Sequence, residues 1–509
     1  MIMTKLTEVL TSQLVDQGSR RLFRDDELDQ WFTGDQFGQD VKQIASFLMT
    51  AKVQRGDQIL VCLDNSVAYL TIMQAAWELG IVVHPIAFTT PIAQLKAELA
   101  EQDYACLIMK DSFVSSLEQI NNFIKDNLEL NTMLKMNLFV STKMLSRKHL
   151  VVVTPHEDDL AMILNTSGTT GKPKRVGLTH RLLNNAAIHD YLSHELTKLD
   201  TTMVIMPMFH INAQVMSCLS MRYAGGRIMT TSKFSASKFW NQVTDNQVTW
   251  VSVVPTIVSI LLMNEKAKVV YEERQDKVAL RFLRSSSFSL PEHQLLSFEK
   301  QFNTQILEGY GMTETTSQST INPFNAPKIG SAGKPFGTEL AINVNGQLQK
   351  NATEIGEIWL RGDHVINDYL ESQPDSFEDG WFKTGDLGYV DDDGYLFVKG
   401  RQKEMINRGG EKVAPAKVES VLTRLEAVNE VAVIGLPDDL YGEQVTAVIV
   451  SSSEIDEETF SNQVIAYAKE NLATFECPTQ VFRINEFPKN NTGKILRPKL
   501  AEMLVMQHV

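Results

Sequence analysis

From Gln58 to Val254 the chain alternates short apolar runs with longer stretches of helical pattern, and that rhythm leaves few folds open. Gly56-Asp57 leads into Gln58-Ile59-Leu60-Val61-Cys62-Leu63, a run of strand length. Asp64-Asn65-Ser66 then supplies a cap for a helix through Leu79, and Gly80 ends it. Ile81-Val82-Val83 reads as the next strand and is followed by a helix through Glu101. The same alternation returns at Met203–Met206, Arg227–Thr230 and Val248–Val254. Strands separated by helices predict βαβ units, parallel sheets and helices packed outside them. At 509 residues the chain is also too long for one core and must divide into at least two domains.

The texture changes after about residue 337. Shorter alternating segments appear with Asn345-Gly346, Asp379-Gly380 and Asp393-Gly394 between them, which predicts a β-rich subdomain. Beyond Gly400-Arg401-Gln402-Lys403 the pattern becomes α+β. It predicts a helix from Pro415 to Leu425, strands at Glu430–Ile434 and Val445–Ser451, a helix over Asp456–Asn471, and a polar tail. The predicted architecture is therefore α/β: a large N-terminal domain over 1–400, made of parallel-sheet βα layers plus the β-rich subdomain, and a small mobile α+β domain over 401–509.

Charge and cysteine usage narrow the partners. The net charge is −14 and basic residues form no block, which disfavours nucleic acid or an anionic membrane. Cys62, Cys106, Cys218 and Cys477 are far apart and show no metal-site or disulfide spacing, so isolated buried thiols in a reducing cytoplasm are expected. The longest apolar stretch, Trp250 to Met263, is broken by Pro255, Thr256 and Ser259 and is too short to span a membrane. Met1–Leu6 begins an amphipathic helix, not a signal peptide.

One segment carries most of the chemistry. Thr166-Ser167-Gly168-Thr169-Thr170-Gly171-Lys172-Pro173-Lys174 concentrates hydroxyls, glycines and lysines directly after the apolar run Leu160–Leu164. A strand that empties into such a turn exposes backbone N–H groups and hydroxyls with room for a polyanion. It is not a P-loop, because only two residues separate Gly168 from Gly171 and Pro173 follows Lys172. Proline also opposes a helix starting at the lysine, so a loop closing over phosphates is predicted, with an ordinary polar turn as the alternative.

Further clusters follow along the chain. In Glu308-Gly309-Tyr310-Gly311-Met312-Thr313-Glu314-Thr315, glycines leave space for a flat ring against the phenol, and a hydroxyl and a carboxylate suit a phosphate and Mg2+. In Trp381–Gly388, an aspartate in a Thr384-Gly385-Asp386 turn is able to accept both hydroxyls of a ribose or to form a simple Asx-turn between strands. Two adjacent glycines, Gly409 and Gly410, let the backbone approach a ligand or make a plain β-to-helix turn, and both readings hold together. Lys494 is displayed on a glycine turn in Pro488–Arg497. His210, in Pro207-Met208-Phe209-His210, is either a structural histidine or part of a pocket. There is no HExxH and no GxSxG elbow.

Taken together, these five motifs between residues 166 and 497 resemble, in order, those of the adenylate-forming superfamily of acyl-CoA synthetases, peptide-synthetase adenylation domains and luciferases. The resemblance implies ATP, Mg2+ and coenzyme A as cofactors. It implies that Thr166 to Lys172 close over the phosphates, that Tyr310, flanked by Gly309 and Gly311, abuts adenine, that Thr313 meets the α-phosphate and that Glu314 holds the metal. Ser287, ending Ser285-Ser286-Ser287, lies where relatives contact adenine, although small residues suit a tight core equally. Asp386 and Arg401 are implied at the ribose, Lys403 as the hinge, Gly409 and Gly410 beside the pantetheine, Lys494 as the catalytic lysine and His210 at the carboxylate. Arg175 departs from the family pattern, which usually has glycine there.

The implied reaction forms an acyl-AMP and then a thioester. Lys233–Trp240 looks like acyl-CoA synthetases of the carnitine/crotonobetaine and fatty-acid type, with His210, Gln214, Met216 and Ser285–Ser287 as pocket candidates. Arg222 is expected as an exposed helix arginine, or as a contact for a second charge on the substrate. Partners are a small carboxylic acid, ATP and CoA, with a monomer or homodimer expected. Loading of a carrier protein and a catalytically silent nucleotide-binding regulator remain as alternatives.

Overall fold

A computed structural model describes residues 3–117, 122–148, 153–166, 174–451, 453–489 and 495–507. Two large sheets, each parallel at its centre, form the N-terminal layers. One runs Lys334–Pro335, Thr320–Ile321, Gln305–Tyr310, Phe282–Ser285, Trp250–Val253, Thr201–Val204, Arg227–Thr230, Arg21–Asp25, Gln30–Thr33. From Gln305–Tyr310 across to Arg21–Asp25 every neighbouring pair is parallel. The other places Cys106–Met109, Gln58–Cys62, Val82–Pro85 and Leu160–Asn165 side by side in parallel, with antiparallel strands at both edges. The predicted βα rhythm is thus realised, with strand ends shifted by a residue or two.

The helix Val67–Glu78 shows why the two sheets stack. It is buried on nearly every face, as a helix must be when it has sheet on both sides. It packs on Val82–Pro85 of one sheet and Arg21–Asp25 of the other. The Trp77 indole donates to the Ala161 carbonyl at 2.8 Å. Just before this helix, Asn65 spans the gap to the second layer: its amide donates to the Met206 carbonyl at 2.8 Å and its oxygen accepts from the Met208 N–H at 2.7 Å. One apolar core runs through both layers.

The β-rich part is an antiparallel sheet of Gln347–Gln349, Thr338–Val344, Gly356–Gly362, Trp381–Val390 and Phe377–Glu378, with Leu396–Arg401 also paired to Trp381–Val390. Asn345 and Gly346 have φ of 50° and 85°, and Asp379 and Gly380 of 48° and 78°. Two successive positive φ values mark the tight hairpin turns that these dipeptides predict. The last sheet joins Glu411–Val413, Ile406–Arg408, Gly442–Val450 and Glu430–Asp438 antiparallel, and Gln480–Ile484 parallel to Gly442–Val450. Its apolar clusters contain only residues beyond 400.

Several local expectations are corrected. The C-terminal tail is not merely polar: it contributes the strand Gln480–Ile484 and the helix Arg497–Gln507, whose Leu500 and Leu504 are buried. Thr384-Gly385-Asp386 is not a turn between strands but a stretch inside the strand Trp381–Val390, with Gly385 at φ 71° within a shift of register against Gly356–Gly362; one residue in the left-handed region lets the strand bulge without ending. Gly409-Gly410 turns one strand into another, Ile406–Arg408 into Glu411–Val413, and not strand into helix. Arg222 is not exposed: it donates to Gln13, the Leu10 carbonyl and Gln74, and lies over the rings of Phe23 and Phe37. It staples the first helix, Lys5–Asp16, to the core and is no substrate contact.

Candidate active site

The site forms where parallel strands run out. Phe282–Ser285 and Gln305–Tyr310 are neighbours, with Ser285 opposite Glu308. Past its strand, Ser287 is exposed and held at φ 80°, an uncommon conformation for a residue with a Cβ that turns the backbone sharply at this edge. On the next strand, Gly309 and Gly311 answer to close backbone approach. A Cβ on Gly311 would collide with the Ser317 carbonyl and with Gln318, and one on Gly309 would press on the Thr320 carbonyl at 2.9 Å. The chain then forms a short 3-10 turn, Thr313–Thr315, so Thr313 and Glu314 stand at the strand end.

Tyr310, Asp386 and Arg401 meet here. The Tyr310 hydroxyl donates to Asp386 Oδ2 at 2.7 Å, and Arg401 Nε lies 3.0 Å from Asp386 Oδ1. One carboxylate thus joins the strand Gln305–Tyr310 to the end of Leu396–Arg401. Burial, then the Asp386 charge, push the Tyr310 phenol well above its usual range, so it remains a donor. Burial opposes the Arg401 charge, but Asp386 and its neighbours outweigh it and hold the guanidinium above its ordinary value.

Glu314 has a partner the sequence did not announce. The Tyr369 hydroxyl donates to Glu314 Oε1 at 2.8 Å, and the Ile366 N–H donates to the Glu314 carbonyl at 3.0 Å. Lys174, at the end of the loop motif, sits 4.3 Å from the Tyr369 ring centroid, a favourable place for a cation. Arg175 beside it reaches Gln102 at 2.7 Å and Glu371 at 3.5 Å. That ties this end of the loop to the body of the chain, where a glycine would leave it untethered. Thr166 lies opposite Lys174, its N–H donating to the Lys174 carbonyl at 2.8 Å. Ser167, Gly168, Thr169, Thr170, Gly171 and Lys172 lie outside the described residues, as does Lys494.

A second cluster lies beside these. His210 follows the Asn65-bound loop and lies tilted against the Phe209 ring, with centroids 4.2 Å apart. Its buried Nε2 has no hydrogen-bond partner among the described residues, and burial lowers its pKa to about 4, so the ring is neutral. A π-helical stretch, Asn212–Leu219, begins two residues later; such stretches are rare and concentrate at functional sites. Asn212 Nδ2 donates to Ser286 Oγ at 3.2 Å, and Ser252 Oγ donates to Asn212 Oδ1 at 2.8 Å. Arg284 also donates to Ser286 Oγ. The guanidinium is buried and its Nε has no partner among the described residues; burial lowers its pKa to about 10, against the opposing pull of Asp190, which still leaves it charged. Gln214 donates its amide N–H back to the Met208 carbonyl, and Met216 sits in the main core.

Asn212, Ser252, Arg284, Ser286 and Tyr369 carry no motif. Only the unusual arginine within an apolar strand pattern, Phe282-Leu283-Arg284-Ser285, signals that something polar lies there. Lys403 is exposed in the 3-10 turn Gln402–Glu404, between two strands. Gly409 and Gly410 are exposed, with φ of 62° and 95°, and the Gly409 N–H donates to the Tyr441 carbonyl at 2.7 Å. The segment holding Lys494 is bracketed by Lys489, paired with Glu430 at 2.7 Å, and by Arg497, paired with Glu419 at 2.7 Å and with Glu404 at 3.4 Å.

The chain is similar to known proteins along most of its length. Residues 11–370 match the family described as AMP-binding enzyme, and residues 417–494 match the AMP-binding enzyme C-terminal domain. The chain is 32% identical to an oxalate–CoA ligase of Arabidopsis thaliana, over 91% of each chain. It is also 32% identical to a sulfoacetate–CoA ligase of Cupriavidus necator, over 87% of each. Among solved structures, o-succinylbenzoate CoA synthetase of Bacillus subtilis, in complex with its acyl-adenylate intermediate, aligns with a TM-score of 0.80 and 27% identity over 97% of each chain.

Proposed function

This chain belongs to the AMP-binding enzyme family, and from that premise we propose that it is an AMP-forming acid–CoA ligase. The observation that carries the reading is the convergence of Tyr310, Asp386, Arg401 and Glu314 at one strand edge. In the first step a carboxylate oxygen of the acid bonds to the α-phosphorus of ATP, and pyrophosphate leaves. In the second the CoA thiolate attacks the acyl carbon, and AMP leaves. Splitting the reaction replaces hydroxide, a poor leaving group, with AMP, a good one.

In this reading Asp386 and Arg401 hold the ribose, Tyr310 faces the adenine with Ser287 and the flanking glycines, and Thr313 meets the α-phosphate. Lys494 offsets the repulsion between carboxylate and phosphate. Glu314, a hard carboxylate fixed by Tyr369 next to a threonine hydroxyl, fits Mg2+. That ion supplies charge neutralisation on the phosphates when bound. Residues 401–509 move as a unit about Lys403, which brings Gly409 and Gly410 to the pantetheine for the second step. The four cysteines, all free and buried, fit a reducing cytoplasm.

The acid we assign is short and carries a second anionic or strongly polar group. Arg284, with Ser286 and Asn212 beside it, is a buried cation with an N–H that has no partner among the described residues. Such a group favours a second anion and disfavours both a long alkyl chain and the quaternary ammonium of a carnitine-like acid. Two similar enzymes are named for oxalate and for sulfoacetate, acids of the first kind.

The test is pyrophosphate and AMP release with Mg·ATP across short diacids, sulfo-acids, fatty acids, aryl acids and carnitine-like acids, with and without CoA. CoA-dependent AMP release with a short diacid or sulfo-acid is expected, and Lys494→Ala abolishes pyrophosphate formation. Turnover only with fatty or carnitine-like acids overturns the substrate assignment. Pyrophosphate without CoA-stimulated AMP release indicates a carrier-protein acceptor, and activity unchanged in Lys494→Ala overturns the mechanism.

A further inference from the structure

Away from the strand edge, His189, Asp363 and His364 are brought together from distant parts of the chain. His189 lies on the helix His180–Ser193, and Asp363 and His364 directly follow the strand Gly356–Gly362. His189 Nε2 lies 2.9 Å from Asp363 Oδ1, and His364 Nδ1 lies 3.4 Å from the same oxygen. All three potential ligand atoms fall within 4.8 Å of one another. In a tetrahedral site with bonds of about 2.0 Å, ligand atoms stand about 3.3 Å apart, so the two measured nitrogen–oxygen separations straddle that edge.

The surroundings set the histidine roles. His364 Nε2 lies 3.1 Å from both the Gln318 carbonyl and the Thr338 hydroxyl. In the neutral tautomer whose Nε2–H donates to that carbonyl, Nδ1 turns a lone pair toward the Asp363 carboxylate. Two lone-pair groups at 3.4 Å repel unless a proton or a cation sits between them. An imidazole whose second nitrogen donates to a backbone carbonyl is the arrangement that orients histidine for a metal. The side chain of His364 is buried, while His189 is 21% and Asp363 59% exposed, which leaves a path for entry. The His189 ring is also pinned: it presses on Gly337, whose φ is 67° and which has no room for a Cβ.

We propose that His189, Asp363 and His364 form a site for a divalent transition metal of the zinc class, with one coordination position left to water. The site joins the helix of the parallel layers to the β-rich sheet. It also anchors the segment after Gly362, from which Tyr369 reaches Glu314 and Ile366 reaches the Glu314 carbonyl. The metal therefore stiffens the backing of the candidate active site without touching substrate.

The test uses the full-length, untagged chain, stripped with chelator and dialysed against Zn2+ at micromolar concentration. One Zn2+ per chain is expected, with Co2+ giving the intense visible bands of tetrahedral coordination and Zn2+ raising the melting temperature. His189→Gln and Asp363→Asn change exposed groups and preserve side-chain shape, so they are the variants of choice; circular dichroism confirms that each is folded. Each lowers affinity at least about tenfold and removes the melting shift. Equal binding by wild type and both variants, or no binding by the wild type, overturns the proposal.

Discussion

Asp386 illustrates how much a single residue does at this edge. It accepts from Tyr310 on one oxygen and pairs with Arg401 on the other, so three distant positions share one anion. Asp386→Asn keeps the shape and removes the charge. Loss of a charge-assisted contact of about 1.5–3 kcal/mol predicts a fall of about 10- to 100-fold in kcat/KM for ATP. An unchanged KM for ATP in a pyrophosphate-exchange assay would remove Asp386 from the nucleotide site. In the proposed reading Arg284 is the corresponding residue for the acid. Arg284→Met replaces the buried cation with an apolar chain of similar length. It is expected to lower kcat/KM for a short diacid about 100-fold while leaving a short monocarboxylate within a few-fold. Equal losses on both acids would make Arg284 purely structural.

At the scale of elements, local backbone rules account for most of the geometry near the site. The Asn345-Gly346 and Asp379-Gly380 hairpins form as their residues predict, because their chemistry is local. The bulge at Gly385 was not foreseeable: a glycine between threonine and aspartate suits a turn or a bulge, and only pairing with Gly356–Gly362 and Leu396–Arg401 selects the bulge. Gly311 makes the sharpest prediction. Its missing Cβ is occupied by the Ser317 carbonyl, which a flexible side chain is not there to yield. Gly311→Ala should cost about 1–3 kcal/mol and displace Thr313 and Glu314. An unchanged urea midpoint with intact adenylation would contradict the close approach.

For the whole molecule, buried ionisable groups set the response to pH. Burial lowers His84 and His194 to about 3 and His180 and His210 to about 4. The unfolded chain protonates all four near 6.5, so between about 4.5 and 6.5 it binds more protons at these sites than the folded chain does. Asp190 and Glu308, raised by burial to about 7, act in the opposite sense by holding protons only in the folded state. The histidines outnumber them. Stability is expected to rise from pH 4.5 to 6.5 by an amount on the order of a few kcal/mol, and then to ease as the pH passes toward 7. Urea midpoints at pH 5 and 6.5 check the sign; a higher midpoint at pH 5 contradicts it.

The same contrast of local and distant runs through the entire chain. Alternating apolar runs and helical patterns determined the parallel layers, because period and turn chemistry are properties of neighbouring residues. The motif residues Tyr310, Glu314, Asp386 and Arg401 were legible as candidates because they stand in short motifs of distinctive residue types, and the structure brings them to one strand edge. Tertiary structure alone decided that Arg222 is a buried staple, that Tyr369 holds Glu314, and that Arg284 stands beside Asn212 and Ser286. It alone brought His189 to Asp363 and His364 across 174 residues of chain. Such contacts depend on which strand lies beside which and on what burial leaves unpaired, and no spacing along a sequence encodes either.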